Sequence, residues 1–154
     1  MNCRVLLADD HQPFREAVRK LLQRHGHIEV VGEAGDGIQA VELTRTLLPD
    51  IVVMDIRMPR LNGIDAVAQL RAAHPAVKVI VFSANAAAIF ASAMLAAGAR
   101  GYVTKSDAEE LPQAIFAVLA GNAYMSTEVA APPGERTAQD AVSAAALVRK
   151  TPLP

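Results

Sequence analysis

Tryptophan is absent from this 154-residue chain, and two tyrosines and four phenylalanines supply all of its aromatic rings. With 52% hydrophobic residues but only 4% aromatic ones, any core must be built from aliphatic side chains and alanine. Cys3 is the single cysteine, which excludes an internal disulfide and fits a reduced, cytoplasmic setting. Neither sign of charge dominates. Fifteen Lys and Arg against sixteen Asp and Glu leave a formal net charge of −1, without the clustered basic face that nucleic acid or anionic lipid would require. No signal peptide is expected, because Met1 leads directly into a strand-like run with acids behind it. One uncharged stretch, 79–99, is long enough to cross a bilayer. It divides into a β-branched part and an alanine-rich part with a polar break at Ser83-Ala84-Asn85, so two short elements are expected there and no membrane span.

What the chain does have is alternation. Strand-like runs near 4–8, 28–33, 51–54, 78–82 and 100–103 alternate with helix-like segments near 12–25, 37–48, 64–74, 86–97 and 108–120. Glycine and proline mark most joins, among them Gly26, Gly35, Pro49, Pro59, Gly63, Pro75, Gly98 and Gly121. Phe14, Val18, Leu21 and Leu22 recur at helical spacing in the first helix, as do Leu111, Ile115, Val118 and Leu119 in the last. Three of the strands are nearly continuous apolar runs, as expected where helices cover both faces of a sheet. Five βα repeats with short connections predict a doubly wound, parallel five-stranded α/β sheet with right-handed crossovers. A compact domain is expected over 1–122, followed by a linker or tail over 123–154. Within that tail a short helical turn could lie in 122–131, and one modest helix in 136–149.

Polar residues cluster at the ends of the apolar runs. Asp9 and Asp10 follow Val5–Ala8, Asp55 follows Ile51–Met54, Ser83 follows Val79–Phe82, and Lys105 lies just past Tyr102-Val103-Thr104. In a parallel sheet these ends share one rim, where open α/β sheets bind ligands. Three carboxylates in one pocket repel, and a divalent cation removes that penalty. An all-oxygen donor set suits Mg²⁺ or Mn²⁺ better than Zn²⁺. An aspartate can also accept a phosphoryl group as an acyl phosphate. That reaction needs in-line positioning and charge neutralisation, to which a metal, Lys105 and the Ser83 hydroxyl could contribute. Asp55 stands alone opposite the acidic pair and is the candidate nucleophile; Asp10 is the candidate direct metal ligand, with Asp9 assisting through water.

The motifs VLLADDH (5–11), VVMDIRMPRLNGID (52–65), VIVFSA (79–84) and GYVTK (101–105) resemble the receiver domain of two-component response regulators. LLADDHQPFREAVRKLL, EVVGEAGDGIQAVE and GNAYMSTEVA are similar to the NarL-type subfamily, whose output domains are LuxR-type. The resemblance covers about 1–122 and implies a flavodoxin-like (βα)5 fold with strand order 2-1-3-4-5. It implies Asp55 as phosphoacceptor, Asp9 and Asp10 as Mg²⁺-binding acids, and the Arg57 backbone carbonyl as a further metal ligand. It also implies Ser83 as hydroxyl switch, Tyr102 as aromatic switch and Lys105 as the phosphoryl-contacting lysine. The implied donor is a sensor histidine kinase or a phosphotransfer protein. The implied output is a conformational shift of the fourth-helix, fifth-strand, fifth-helix face toward a downstream protein or a homodimer. The protein is then a switch that takes up and slowly loses a phosphoryl group, without being an enzyme in the turnover sense.

The resemblance would extend to a helix-turn-helix domain, which needs at least two packed helices. The 24 residues 131–154 contain Pro132-Pro133-Gly134, and their basic residues are Arg136, Arg149 and Lys150, so nucleic-acid binding by this chain is not expected. A truncated NarL-type DNA-binding regulator is the alternative reading. An aspartyl-phosphate phosphatase is a further one, but such enzymes need an acid two residues past the nucleophile, where this chain has Arg57. A receiver used only as an interaction module is the mildest. His11, His25, His27 and His74 read as solvated surface residues, and Gly32–Gly37 as a turn and helix cap that fits neither phosphate-loop fingerprint. The fourth helix carries no charge on any face. Ile89, Phe90, Met94 and Leu95 cannot all turn inward, which suggests an apolar contact surface.

Overall fold

A computed structural model describes residues 2–61, 63–84 and 87–130. The helix expected over 136–149 and the rest of the tail from 131 onward lie outside the described residues. The elements alternate as the periodicity predicts: β1 (Cys3–Ala8), α1 (Gln12–Gln23), β2 (Ile28–Ala34), α2 (Gly37–Leu47), β3 (Ile51–Met54), α3 (Gly63–Ala73), β4 (Lys78–Ser83), α4 (Ala88–Ala97) and β5 (Gly101–Thr104). A 3₁₀ run, Lys105–Glu110, then leads into α5 (Leu111–Leu119). The helix expected over 108–120 is thus shorter and begins with a tighter turn. Asp107 departs from helical dihedrals and Pro112 sits in the first turn of α5, where a proline needs no backbone donor. No helix among the described residues is long and apolar enough to cross a membrane.

All strands are parallel, in the order β2-β1-β3-β4-β5-β6. The doubly wound sheet and the 2-1-3-4-5 order agree with the expectation, but the sheet has six strands. β6 (Tyr124–Met125) pairs with the outer edge of β5, and α6 (Thr127–Ala130) follows it. The sheet therefore continues past residue 122, where the compact part was expected to stop.

Alternate residues of each strand feed two separate cores. Leu6, Ala8, Val52, Met54, Val79, Val81 and Tyr102 pack beneath α2, α3 and α4. Cys3, Val5, Leu7, Ile51, Val53, Ile80, Phe82 and Val103 pack beneath α1 and α5, against Val18, Leu22, Leu111, Ile115 and Val118. Each fully buried aliphatic side chain contributes roughly 1.5–3 kcal/mol, so two continuous layers anchor β1, β3 and β4 on both faces. Short joins hold the helices in place. Asp36 caps α2 by accepting from the Gln39 N–H at 2.8 Å, while Gln39 Oε1 accepts from the Gly35 N–H at 2.7 Å. Gly63, at the start of α3, donates to the Ile56 carbonyl at 3.1 Å. A Cβ on Gly63 would lie 2.4 Å from the Ile56 Cα, so a side chain there would push back the loop that follows Asp55.

On α4, Met94 and Leu95 turn into the core while Ile89 is 75% and Phe90 42% exposed, the division that its uncharged sequence requires. The β6–α6 segment is latched to β5 by side chains as well as by pairing. The Ser126 N–H donates to the Tyr102 carbonyl at 3.0 Å, and Ser126 Oγ accepts from the Thr104 N–H at 3.1 Å. Asp107 and Glu110 on the 3₁₀ run accept from the Glu128 and Thr127 N–H groups at the start of α6. Val129 is fully buried in the same core cluster as Tyr102 and Met94.

Candidate functional site

Four strands end at one rim. Ala8 of β1 pairs with Met54 of β3, so Asp9 and Asp55 leave the sheet side by side; the Asp55 N–H donates to the Ala8 carbonyl at 2.9 Å. Ser83 closes β4 and pairs with Thr104 of β5, which delivers Lys105 to the same corner. Asp9 and Asp55 are buried, and Asp10 is exposed beside them. One carboxylate oxygen from each of the three lies within 4.8 Å of the others.

Lys105 Nζ bridges two of these acids, donating to Asp9 Oδ2 at 2.8 Å and to Asp55 Oδ2 at 3.1 Å. The remaining oxygens are held by the backbone: Asp9 Oδ1 accepts from the His11 N–H at 2.9 Å and Asp55 Oδ1 from the Arg57 N–H at 3.1 Å. These turns aim both carboxylates at the rim. His11 therefore enters through its backbone, and the side chain of Arg57 is exposed.

The charge balance is uneven. Burial pushes the Asp55 carboxyl above its ordinary value; the Arg57 N–H and Lys105 work against that, and Asp9 adds to it. For Lys105, burial works against the charged form, but hydrogen bonding to Asp9 and the charge of Asp55 outweigh it and raise the ammonium above its ordinary value. Both ends of one ion pair thus rise. The contact secures the lysine's charge fully and the aspartate's only in part, because burial and the neighbouring Asp9 both oppose ionisation of Asp55. Tyr102 is fully buried and its hydroxyl is hydrogen-bonded to Ser83; burial raises it above its ordinary value, the Ser83 bond lowers it, and Asp55 raises it again.

Asp9, Asp10, Asp55, Ser83, Tyr102 and Lys105 thus meet at one end of the sheet. Two participants are not legible in the sequence. Arg15 of α1 donates to the Asp9 carbonyl and, through Nε, to Glu33 at 2.8 Å, tying the acidic turn to β2. Phe14 places its ring under Lys105 Nζ, 4.7 Å from the ring centroid, and stacks on Phe82 at 5.5 Å. Helical spacing marks Phe14 as a core residue, and nothing in the sequence links it to a lysine ninety-one positions away.

The response regulator receiver domain family matches residues 5–116, most of the described chain. The chain belongs to this family. The receiver is 40% identical over 126 residues to the transcriptional regulatory protein DegU of Brevibacillus brevis, covering 81% of this chain and 53% of that one. It is 38% identical over 128 residues to the response regulator GacA of Pseudomonas viridiflava, covering 82% and 60%. It thus spans somewhat more than half the length of these relatives. Among solved structures, a LuxR-family two-component response regulator from Aurantimonas sp. SI85-9A1 superposes with a TM-score of 0.83 at 39% identity, covering 95% of this chain and 99% of that one. The receiver domain of the putative response regulator NarL from Mycobacterium tuberculosis superposes with a TM-score of 0.74 at 34% identity, covering 79% and 98%. The isolated receiver domain of RcsB from Salmonella enterica serovar Typhimurium, solved in the presence of the phosphomimetic BeF3−, gives 0.77 at 27% identity over 84% and 96%.

Proposed function

We propose that this receiver is a cytoplasmic switch in which Asp55 accepts a phosphoryl group from a histidine kinase or a phosphotransfer protein. The observation that carries the reading is the corner itself: a buried carboxylate beside two others, bridged by one lysine, at the carboxyl ends of adjacent parallel strands. An oxygen of Asp55 forms the new bond to phosphorus as the donor's N–P bond breaks. Lys105, already in contact with Asp55, neutralises the oxygens of the transferred group. Asp9, Asp10, Asp55 and the Arg57 backbone carbonyl would hold Mg²⁺ or Mn²⁺. The fit rests on the donor set, which is all oxygen and carries more negative charge than one lysine offsets. When bound, the cation supplies charge neutralisation for the phosphoryl oxygens.

The switch is Ser83 with Tyr102. Their hydroxyls are hydrogen-bonded to each other, so turning Ser83 toward a phosphoryl group on Asp55 removes a partner from a fully buried tyrosine. Losing that hydrogen bond costs about 0.5–1.5 kcal/mol, enough to shift a two-state equilibrium severalfold. Tyr102 lies on β5, which carries β6, and shares its core with Val129 of α6 and Met94 of α4. The output face for a downstream protein or a second receiver is therefore α4, β5 and α5 as dressed by β6 and α6, with Ile89 and Phe90 exposed on it. The chain's partial coverage of transcriptional regulators favours a second reading, in which it is the receiver part of a longer regulator.

The test is incubation with Mg²⁺ and a small phosphodonor or a histidine kinase, followed by intact-mass and peptide mapping. One phosphoryl group on Asp55, absent from Asp55→Asn, is the expected result. Stoichiometric label persisting in Asp55→Asn would overturn the assignment.

A further inference from the structure

Lys105 is the cation that Asp9 and Asp55 share, and its stem is long. Left to solvent, such a side chain samples many rotamers, and holding it in one costs conformational entropy. Its ammonium has three donors. Two are committed to Asp9 Oδ2 and Asp55 Oδ2. The Phe14 ring lies 4.7 Å away on a further side, within the range over which an aromatic face attracts a cation. That ring is itself held. Phe14 occupies the first turn of α1 and stacks at 26° on Phe82, which is buried and directly precedes Ser83. One aromatic stack therefore joins the start of α1, the end of β4 and the ammonium delivered by β5.

We propose that Phe14 is a positioning residue for phosphoryl transfer: its ring face keeps the Lys105 ammonium at the Asp9–Asp55 edge and lets it follow the charge onto the phosphoryl group. This role rests on the Asp55 reading above. When Asp55 becomes an acyl phosphate, the negative charge that Lys105 faces moves outward onto the phosphoryl oxygens. The ammonium must then leave part of its contact with Asp55. A hydrogen-bonding neighbour in place of Phe14 would hold it in one direction. A ring face attracts it over an area and imposes no single direction, so a small displacement costs little. The Phe82 stack fixes the Phe14 ring against the end of β4, so the face it offers the ammonium does not turn away.

Ring electronics separate this role from simple packing. Phenylalanines bearing one, two and three fluorines, incorporated at position 14 of the full chain, drain the ring face with almost no change in shape. The expected result is a stepwise weakening of Mg²⁺–beryllofluoride binding, about fivefold by the third fluorine, with the same unfolding midpoint throughout. Phe14→Leu should resemble the trifluorinated protein, and Phe14→Trp should bind at least as tightly as wild type. The Lys105 ε-methylene protons should show an upfield ring-current shift in the unphosphorylated wild type and lose it in Phe14→Leu. A flat fluorine series in a wild type that binds beryllofluoride overturns the role of Phe14 and leaves the Asp55 reading standing. A missing ring-current shift overturns it also. A wild type that neither binds beryllofluoride nor takes up phosphoryl label removes the Asp55 reading, and this inference with it.

Discussion

Asp55→Asn should make the metal-free receiver more stable at neutral pH. At an effective dielectric of about 20, unit charges 4.8 Å apart repel by about 3.5 kcal/mol. Asp9 exerts at least that on Asp55, since 4.8 Å is the outer limit of their separation, and the exposed Asp10 less, because solvent screens it. On the same scale Lys105, at 3.1 Å, returns about 5 kcal/mol. Repulsion and attraction nearly cancel, which leaves the dehydration of a carboxylate only 6% exposed as the deciding term. Asparagine removes that cost and forfeits one charge-assisted hydrogen bond, for a net gain of about 1 kcal/mol, or about 3 °C in melting temperature. The pH dependence fixes the sign. Burial raises Asp55 above its ordinary value of 3.8, so its ionisation costs more in the fold than in the unfolded chain. Wild-type stability from this group is lost as pH rises above 3.8, and the advantage of the variant opens over the same window. Mg²⁺ narrows the gap: at ten times its dissociation constant it stabilises the wild type by about 1.4 kcal/mol, and the variant by less than half of that. Thermal melts with chelator and with Mg²⁺, between pH 4 and 8, measure all of this. A variant that melts below wild type in chelator at neutral pH, or an equal Mg²⁺ increment in both proteins, refutes the charge argument.

Three further outcomes are expected from the same geometry. Lys105→Ala leaves Asp9 and Asp55 facing each other and should cost about 2 kcal/mol in urea denaturation, less than a fully buried pair because the lysine side chain is 21% exposed. Mg²⁺ should restore much of that loss. Because the folded ammonium is raised above 10.5, the lysine's contribution is present below that value and disappears as pH climbs through the higher folded one. Absorbance titration should show neither tyrosine ionising at its ordinary value of 10 in the folded protein, since burial raises both; burial and the hydrogen bond to Glu110 push Tyr124 to about 12. Glu110→Gln should bring Tyr124 back toward 10, and an unmoved titration counts against that bond. Ser126→Ala removes the acceptor for the buried Thr104 N–H, at a cost of about 1–3 kcal/mol. Hydrogen exchange should then quicken at Thr104 and across β6, and unchanged protection there would mean that pairing alone holds the segment.

Much of this molecule is local information. The apolar runs of β1, β3 and β4 are buried on both faces, so their composition announces them without knowledge of their neighbours. Alternation with helical spacing then dictates a parallel, doubly wound sheet, and a parallel sheet carries every residue that follows a strand to one rim. That is why Asp9, Asp55, Ser83 and Lys105 group together on sequence grounds alone, and why Ile89 and Phe90 are expected outside on an uncharged helix. β6 is illegible for the opposite reason. Two residues cannot display a period, and Tyr124-Met125 form a strand because β5 offers an unpaired edge, while Glu110 binds the Tyr124 hydroxyl and Asp107 holds the start of α6. The 3₁₀ run ahead of α5 is hidden in the same way, since its acids serve α6 across space. The amino-acid order by itself determined the five βα repeats, their parallel doubly wound arrangement and the residue types at the rim, because burial periodicity and strand ends are properties of short segments. Only the tertiary structure decided that one lysine bridges Asp9 and Asp55, that Phe14 lies beneath it, and that β6 and α6 close over the Tyr102 side of the sheet, because each depends on the distance between groups that the chain brings together only when folded.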